Sequence, residues 1–225
     1  MLIGLSGYIG SGKDTCASIL EQHHGFQRLS FASAIKDIVS SLFGWDRNDL
    51  EGSTPSSREW REEIDTWWTE QLGRIVTPRI ILQMVGTEMF RDCLSPRFWT
   101  TVLKRKIEKI QEEEERSSTS PERGYSPPRA SLGRIAHQGV AKRTRSRIVI
   151  SDCRFPEEVE LIKSLGGIIV YVDRAPDFNN HQMGFSHSSE HHIGSIIPDA
   201  TIDNNKDLEY LRLQIDTLIQ FCESN

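Results

Sequence analysis

Long apolar runs are missing from this 225-residue chain. The longest, around Gly166–Val172, is far too short to span a bilayer. The opening Met1-Leu2-Ile3-Gly4-Leu5 has neither a basic leader nor an extended apolar stretch, so no secretory signal is expected. Cysteine is scarce as well. Cys16, Cys93, Cys153 and Cys222 stand far apart without a Cys-x-x-Cys pair, which argues against a disulfide framework or a zinc site. They read as reduced thiols of a cytoplasmic protein. No internal repeat is visible. What remains is ordinary: 37% hydrophobic and 26% charged residues suit one domain with a substantial core. A net charge of −5 gives little reason to expect a dedicated nucleic-acid binder. That average conceals a division. Between Arg116 and Arg147 eight Lys or Arg face a single acid, Glu122, for a net +7; the rest carries 19 bases and 31 acids, a net −12.

Periodicity predicts strands alternating with helices. A short apolar strand at the N-terminus runs into glycines, and a helix follows over Lys13–His24, stopped by Gly25. A strand over 26–31 and a helix over Ala34–Phe43 come next. The Trp-rich stretch after Trp45 holds a predicted helix at Arg58–Leu72, a second at Arg79–Leu94 with Pro78 in its first turn, and a third from about Arg97 to Glu115. Residues 116–147 are rich in Ser, Pro, Gly and Arg without periodicity and read as a disordered basic loop. Order returns with a strand at Ile148–Ile150, a helix at Pro156–Leu165, strands at Ile168–Val172 and Ala200–Ile202, and an amphipathic helix from about Leu208 to Phe221. The expectation is a single α/β domain over 1–225, a three-layer sandwich of about five parallel strands with helices on both faces. A helical insertion at 45–110 is expected within it.

Gly7-Tyr8-Ile9-Gly10-Ser11-Gly12-Lys13 lies between a predicted strand and a predicted helix, the setting a phosphate-binding loop requires. Its glycines let backbone N–H groups converge on phosphate oxygens, and Lys13 adds a full charge toward the β/γ positions of a nucleotide. Asp14 stands where a Ser or Thr usually follows the lysine, which leaves Thr15 as the candidate magnesium hydroxyl.

Transfer between two anionic groups needs cations on both sides of the moving phosphoryl. Four clusters qualify: Lys36-Asp37; Arg58 and Arg61, three apart on one helical face; Gln83, Gly86, Thr87 and Arg91 on another; and Asp152-Cys153-Arg154 at a strand end. Each has a structural alternative. Lys36 can be a solvated helix charge, Arg58 and Arg61 can pair with Glu62, Glu63 or Asp65, Arg91 can be surface, and Asp152 with Arg154 can be an ion pair.

LSGYIGSGKDT (5–15), FASAIKDIVSSLFGW (31–45), SREWRE (57–62), TPRIILQMVGTEMFR (77–91), RFW (97–99), DCRFPEEVELIKSLGGIIVYVDR (152–174) and HSSEHH (187–192) run in order through nearly the whole ordered chain. Together they resemble the deoxynucleoside monophosphate kinases of tailed phages and related viruses, within the P-loop kinase superfamily. The resemblance implies transfer of the ATP γ-phosphate to a deoxynucleoside 5′-monophosphate, with Mg2+. It implies that Gly7, Gly10, Ser11, Gly12, Lys13, Asp14 and Thr15 hold ATP and metal, with Arg174 near adenine or phosphate. Lys36, Arg58, Arg61, Gln83, Thr87, Arg91 and Trp99 would form the monophosphate side, Trp99 as a base or sugar platform. Arg91 and Arg154 would approach the transferred group, and Asp152 would orient it or reach the metal through water. A homodimer in a host cytoplasm is likewise implied.

Rival readings differ at particular residues. The opening also resembles dephospho-coenzyme A kinase, but Leu29-Ser30-Phe31-Ala32-Ser33 lacks the Asp that family places there. Metazoan phosphomevalonate kinase shares the Gly-Lys-Asp ending. A nucleic-acid-binding protein with a degenerate loop would use the basic segment. The stretch with Asp177, His181, His187, Glu190, His191 and His192 matches no standard zinc spacing and reads as a lid or loop; the resemblance at Ser189-Glu190 implies one that closes over ATP. The basic segment joins a helix to a strand, which places it at the sheet edge opposite the phosphate loop.

Overall fold

The computed structural model describes residues 1–119, 146–175 and 193–224. Five strands form one parallel sheet: β1 (Leu2–Ser6), β2 (Gln27–Leu29), β3 (Ile148–Ile150), β4 (Ile168–Asp173) and β5 (Ala200–Asp203). Their order is β2-β3-β1-β4-β5. Register aligns Gly4 with Ile150 on one side and Ile169 on the other, so the strand ends of β1, β2 and β3 emerge together. The α/β expectation holds.

Side-chain alternation sorts the sheet into two buried faces. Ile3, Leu5, Val149, Val170 and Val172 meet α1 (Lys13–His24) and the C-terminal helix, numbered α8 here (Leu208–Ser224), through Ala17, Leu20, Leu211 and Ile215. Ile148, Ile150 and Ile169 meet α6 (Phe98–Thr119) and α7 (Pro156–Ser164) through Leu103, Ile107, Leu161 and Ile162. Gly4 belongs to the second face, where a β-carbon would collide with the Ile162 side chain; its absence lets α7 settle onto the sheet.

Between α2 (Ser33–Phe43) and α6 the chain builds a third apolar core from Val39, Trp45, Leu50, Val76, Ile81 and Val85. Here the helices differ from expectation. The segment predicted as one helix over Arg58–Leu72 is two, α3 (Pro55–Trp60) and α4 (Thr66–Leu72). Each has its own N-cap: Thr54 accepts from Ser57 N at 3.1 Å and Asp65 accepts from Trp68 N at 3.0 Å. The predicted Arg79–Leu94 helix begins as α5 (Pro78–Gln83) but widens over Met84–Asp92 into a π-helical segment. A 3₁₀ turn, Asp49–Glu51, precedes α3.

Residues 120–145, most of the expected basic loop, and the histidine-containing stretch 177–192 lie outside the described residues. Ser146 is described: its carbonyl accepts from the Met1 ammonium at 2.8 Å and its hydroxyl meets Glu114 of α6. That junction lies at the N-terminal end of β1, opposite the phosphate loop. Among the described residues no helix is long and apolar enough to cross a membrane.

Candidate active site

The loop after β1 is shaped by its glycines. Gly7 has φ +145°, and a β-carbon there would lie 2.6 Å from the Val172 carbonyl. Gly12 has φ +97°, and its open side is filled by the Asn204 side chain. Asn204 Nδ2 donates to Ser11 O at 2.8 Å, while its backbone N–H binds Asp173 O at 2.7 Å. The residue following β5 thus ties the phosphate loop to the end of β4. Lys13 is buried, and its ammonium donates to the Gly7 and Tyr8 carbonyls at 2.7 Å each. Gly10 and Ser11 continue the turn, closed by Ser11 N donating to Tyr8 O at 3.1 Å. Asp14 and Thr15 are exposed on the first turn of α1. Asp14 pairs with Arg28 of β2, whose Nε also donates to Ser151 Oγ at 3.3 Å. Arg174, just past β4, is exposed at the same edge.

Asp152 follows β3 and holds three donors of the chain. Its carboxylate accepts from Ser30 Oγ at 2.7 Å, Phe31 N at 2.9 Å and Ala32 N at 3.0 Å. Three charge-assisted donors hold the turn that leads into α2. Asp152 is not ion-paired with Arg154: the Arg154 backbone N–H instead donates to Glu158 at 2.7 Å.

On α2, Lys36 donates to Glu51 Oε1 at 2.6 Å. Arg47 bridges Asp37 at 2.6 Å and Glu51 at 2.7 Å. Burial pushes the Glu51 carboxyl up, but the Arg47 and Lys36 hydrogen bonds outweigh it and hold the group below its ordinary range. This network fixes the turn before Gly52, against which the Arg61 guanidinium packs. Arg61 is half-buried and its Nε has no hydrogen-bond partner. Burial, followed by the nearby charge of Arg79, draws its pKa down, with Arg58 adding to the effect. Glu62, expected as a partner of Arg58 or Arg61, pairs with Arg79 instead. Three arginines from α3, its C-terminus and α5 therefore crowd one place.

Gln83 and Thr87 are exposed on α5 and the π segment. Arg91 is not a surface charge. Its guanidinium lies 3.5 Å from the Phe155 ring centroid, and Nη2 is 3.6 Å from Glu158 Oε1. Glu158 is 3% exposed; burial and the charge of Asp152 push its carboxyl up to about 8, against the Arg154 and Phe155 N–H donors and Arg91.

Trp99 corrects the expectation of a base or sugar platform. It is 4% exposed, packs against Phe90 and Phe98, and donates Nε1–H to the Gly86 carbonyl at 2.7 Å. The indole is a core residue that fixes the π segment to α6. Residues missed from sequence are Arg28, Arg79, Glu158 and Asn204. Glu158 carried one signal, its place in the first turn after Pro156, where a carboxylate can accept from the free backbone N–H groups of a helix start. Arg28 and Asn204 carried none. A groove of about 540 Å³ lined by Ser95, Phe98, Val102 and Arg105 runs along α6 and includes none of the candidate residues.

No family model matches the chain. A protein of Acanthamoeba polyphaga mimivirus, carried under the name deoxynucleotide monophosphate kinase, is 31% identical over 220 residues, covering 96% of this chain and 94% of its own length. The deoxynucleoside-5′-monophosphate kinase of Escherichia phage T5 is 25% identical over 252 residues, covering 99% and 96%. Among solved structures, shikimate kinase from Aquifex aeolicus aligns over 100% of this chain and 99% of its own, at TM-score 0.42 and 14% identity. That structural likeness is too slight to bear on substrate. The match to the mimivirus protein over nearly the whole of both chains is decisive: the chain belongs to the deoxynucleoside monophosphate kinase family.

Proposed function

We propose that the protein transfers the γ-phosphate of ATP to the 5′-phosphate of a deoxynucleoside monophosphate, giving the diphosphate and ADP. The observation that carries this reading is a second cation cluster besides the phosphate loop. Burial and then the charges of Arg79 and Arg58 draw the Arg61 pKa down, and an arriving phosphate dianion offsets both the burial and the crowding of like charge.

In the reaction an acceptor phosphate oxygen bonds to the γ-phosphorus as the bond to the β-bridging oxygen breaks, and ADP keeps that electron pair. The acceptor is already ionised near neutral pH, so no general base is required. Lys13 exchanges its loop carbonyls for the β/γ oxygens of ATP, and the N–H groups of Gly10 and Gly12–Thr15 serve the same phosphates. Arg91 and Arg154 neutralise the transferred group, and Arg58 and Arg61 hold the acceptor, with Gln83 and Thr87 facing its sugar or base. Lys36 acts through Glu51 by fixing the turn at Gly52. Arg174 contributes to the ATP side.

The donor set fits Mg2+ held mainly by nucleotide phosphates. Among the described residues no cluster of three His, Cys, Asp or Glu side chains could cage a metal, and Thr15 offers an exposed hydroxyl next to the phosphate loop. When bound, the ion supplies charge neutralisation at the β/γ oxygens. Asp152 already holds three donors, two on Oδ2 and one on Oδ1, and serves as a positioning residue.

ADP release with ATP and Mg2+ is measured against dTMP, dGMP, dCMP, dAMP, dephospho-coenzyme A and phosphomevalonate. Turnover is expected with a deoxynucleoside monophosphate and is expected to vanish in Lys13→Ala. Turnover confined to the last two acceptors, or near-normal rates in Lys13→Ala, would sink the assignment.

A further inference from the structure

We infer that Glu158 and Phe155 form a cradle that orients the Arg91 guanidinium for phosphoryl transfer, with Glu158 as the positioning residue. The inference rests on reading Arg91 as a cation of the reacting phosphates.

The cradle has two walls. The Phe155 ring underlies the guanidinium plane at 3.5 Å, and Glu158 Oε1 faces Nη2 at 3.6 Å. The second distance exceeds a hydrogen bond. Once ionised, above about pH 8, the carboxylate orients the arginine by charge without closing on its N–H donors. The other carboxylate oxygen, Oε2, accepts from Arg154 N at 2.7 Å and Phe155 N at 3.0 Å, which locks the Glu158 rotamer. One side chain thus links the start of α7, the backbone of Arg154 and the side chain of Arg91.

A cap alone explains neither the charge nor the burial. Oε2 satisfies both backbone donors, and a glutamine oxygen would do the same. A carboxylate that is 3% exposed costs far more to desolvate than an amide, and Asp152 adds like charge. Arg91, arriving from the π segment, is the cation facing Oε1. Its own side chain is 13% exposed, so few rotamers are open to it once the cradle is in place.

Steady-state kinetics at about pH 9, where the carboxylate carries its charge, test the assignment. Arg91→Gln is expected to lower kcat roughly 100-fold and Glu158→Gln roughly 10-fold, with KM for ATP unchanged in both. The double variant is expected to be no slower than Arg91→Gln, because Glu158 acts only through Arg91. Phe155→Leu should lower kcat several-fold and Phe155→Tyr should restore it, which keeps the cradle testable should Glu158→Gln fail to fold. Losses that multiply in the double variant overturn the inference, as does a normal kcat in Glu158→Gln while Arg91→Gln is impaired. A normal kcat in Arg91→Gln overturns the underlying role of Arg91 and the inference with it.

Discussion

Removing the Asp152 carboxylate separates a positioning role from a direct part in chemistry. In Asp152→Ala the Phe31 and Ala32 N–H groups and the Ser30 hydroxyl lose their shared acceptor. Hydrogen bonds to a charged group contribute about 1.5–3 kcal/mol each, and water reaching this half-buried turn recovers part of the loss, so a net cost of roughly 3–5 kcal/mol is expected. For a chain of this size each kcal/mol lowers Tm by about 2–4 °C, which places the drop near 10 °C. Asp152→Asn keeps one acceptor oxygen for Phe31 N and can donate to Ser30, so its cost should be only ~1–2 kcal/mol. Thermal unfolding followed by circular dichroism gives the stability, and ADP release at a temperature where each variant is folded gives the activity. The two quantities should fall together, Asn between wild type and Ala. Abolished turnover with an unchanged Tm would refute the positioning argument and return Asp152 to the reacting groups.

Three further outcomes follow from the structure. Arg58→Ala should raise the acceptor's KM about tenfold and leave KM for ATP unchanged, as measured by initial rates with each substrate varied. The Glu158 carboxyl has an ordinary value of 4.5 and sits at about 8 in the folded protein. Its stabilising contribution is therefore complete below pH 4.5 and is lost as pH rises toward 8, by up to ~1.4 kcal/mol per pH unit. Denaturant midpoints across that window should slope downward in wild type and flatten in Glu158→Gln; parallel slopes would contradict the burial argument. Deleting residues 120–145 should leave kcat/KM within about twofold, because the described end of that segment, Ser146, sits at Met1, opposite the phosphate loop.

Legibility from sequence followed the range of the forces involved. β1, the glycine loop and α1 are a local motif, and their order and even the Gly25 stop are visible residue by residue. The five-stranded parallel sheet followed from alternation of strands and helices. Partnerships across the fold were hidden. Lys36 is neutralised by Glu51, fifteen positions away, only because α2 packs beside a 3₁₀ turn. From sequence Arg91 reads as a cation of the phosphate side, with a surface charge as the alternative, and its neighbourhood gives no sign that the π segment brings it to Phe155. Trp99 takes its expected platform role from the family resemblance, and nothing in RFW announces that Phe90, Phe98 and the Gly86 carbonyl enclose it. The split of the predicted Arg58–Leu72 helix was foreseeable, since Asp65 is a strong N-cap inside an otherwise continuous helical pattern.

The Asn204 tether has a consequence for local breathing. Among the described residues β5 is a four-residue edge strand paired with β4 alone, the kind of element that opens well below the global unfolding free energy. Its last turn reaches past β4 to grip Ser11, with the amide lodged where Gly12 has no side chain. Peeling β5 and slackening the phosphate loop are therefore one event. Whatever binds that loop slows hydrogen exchange along Ala200–Asp203, at the far margin of the sheet, and whatever frays that margin weakens the grip on phosphate.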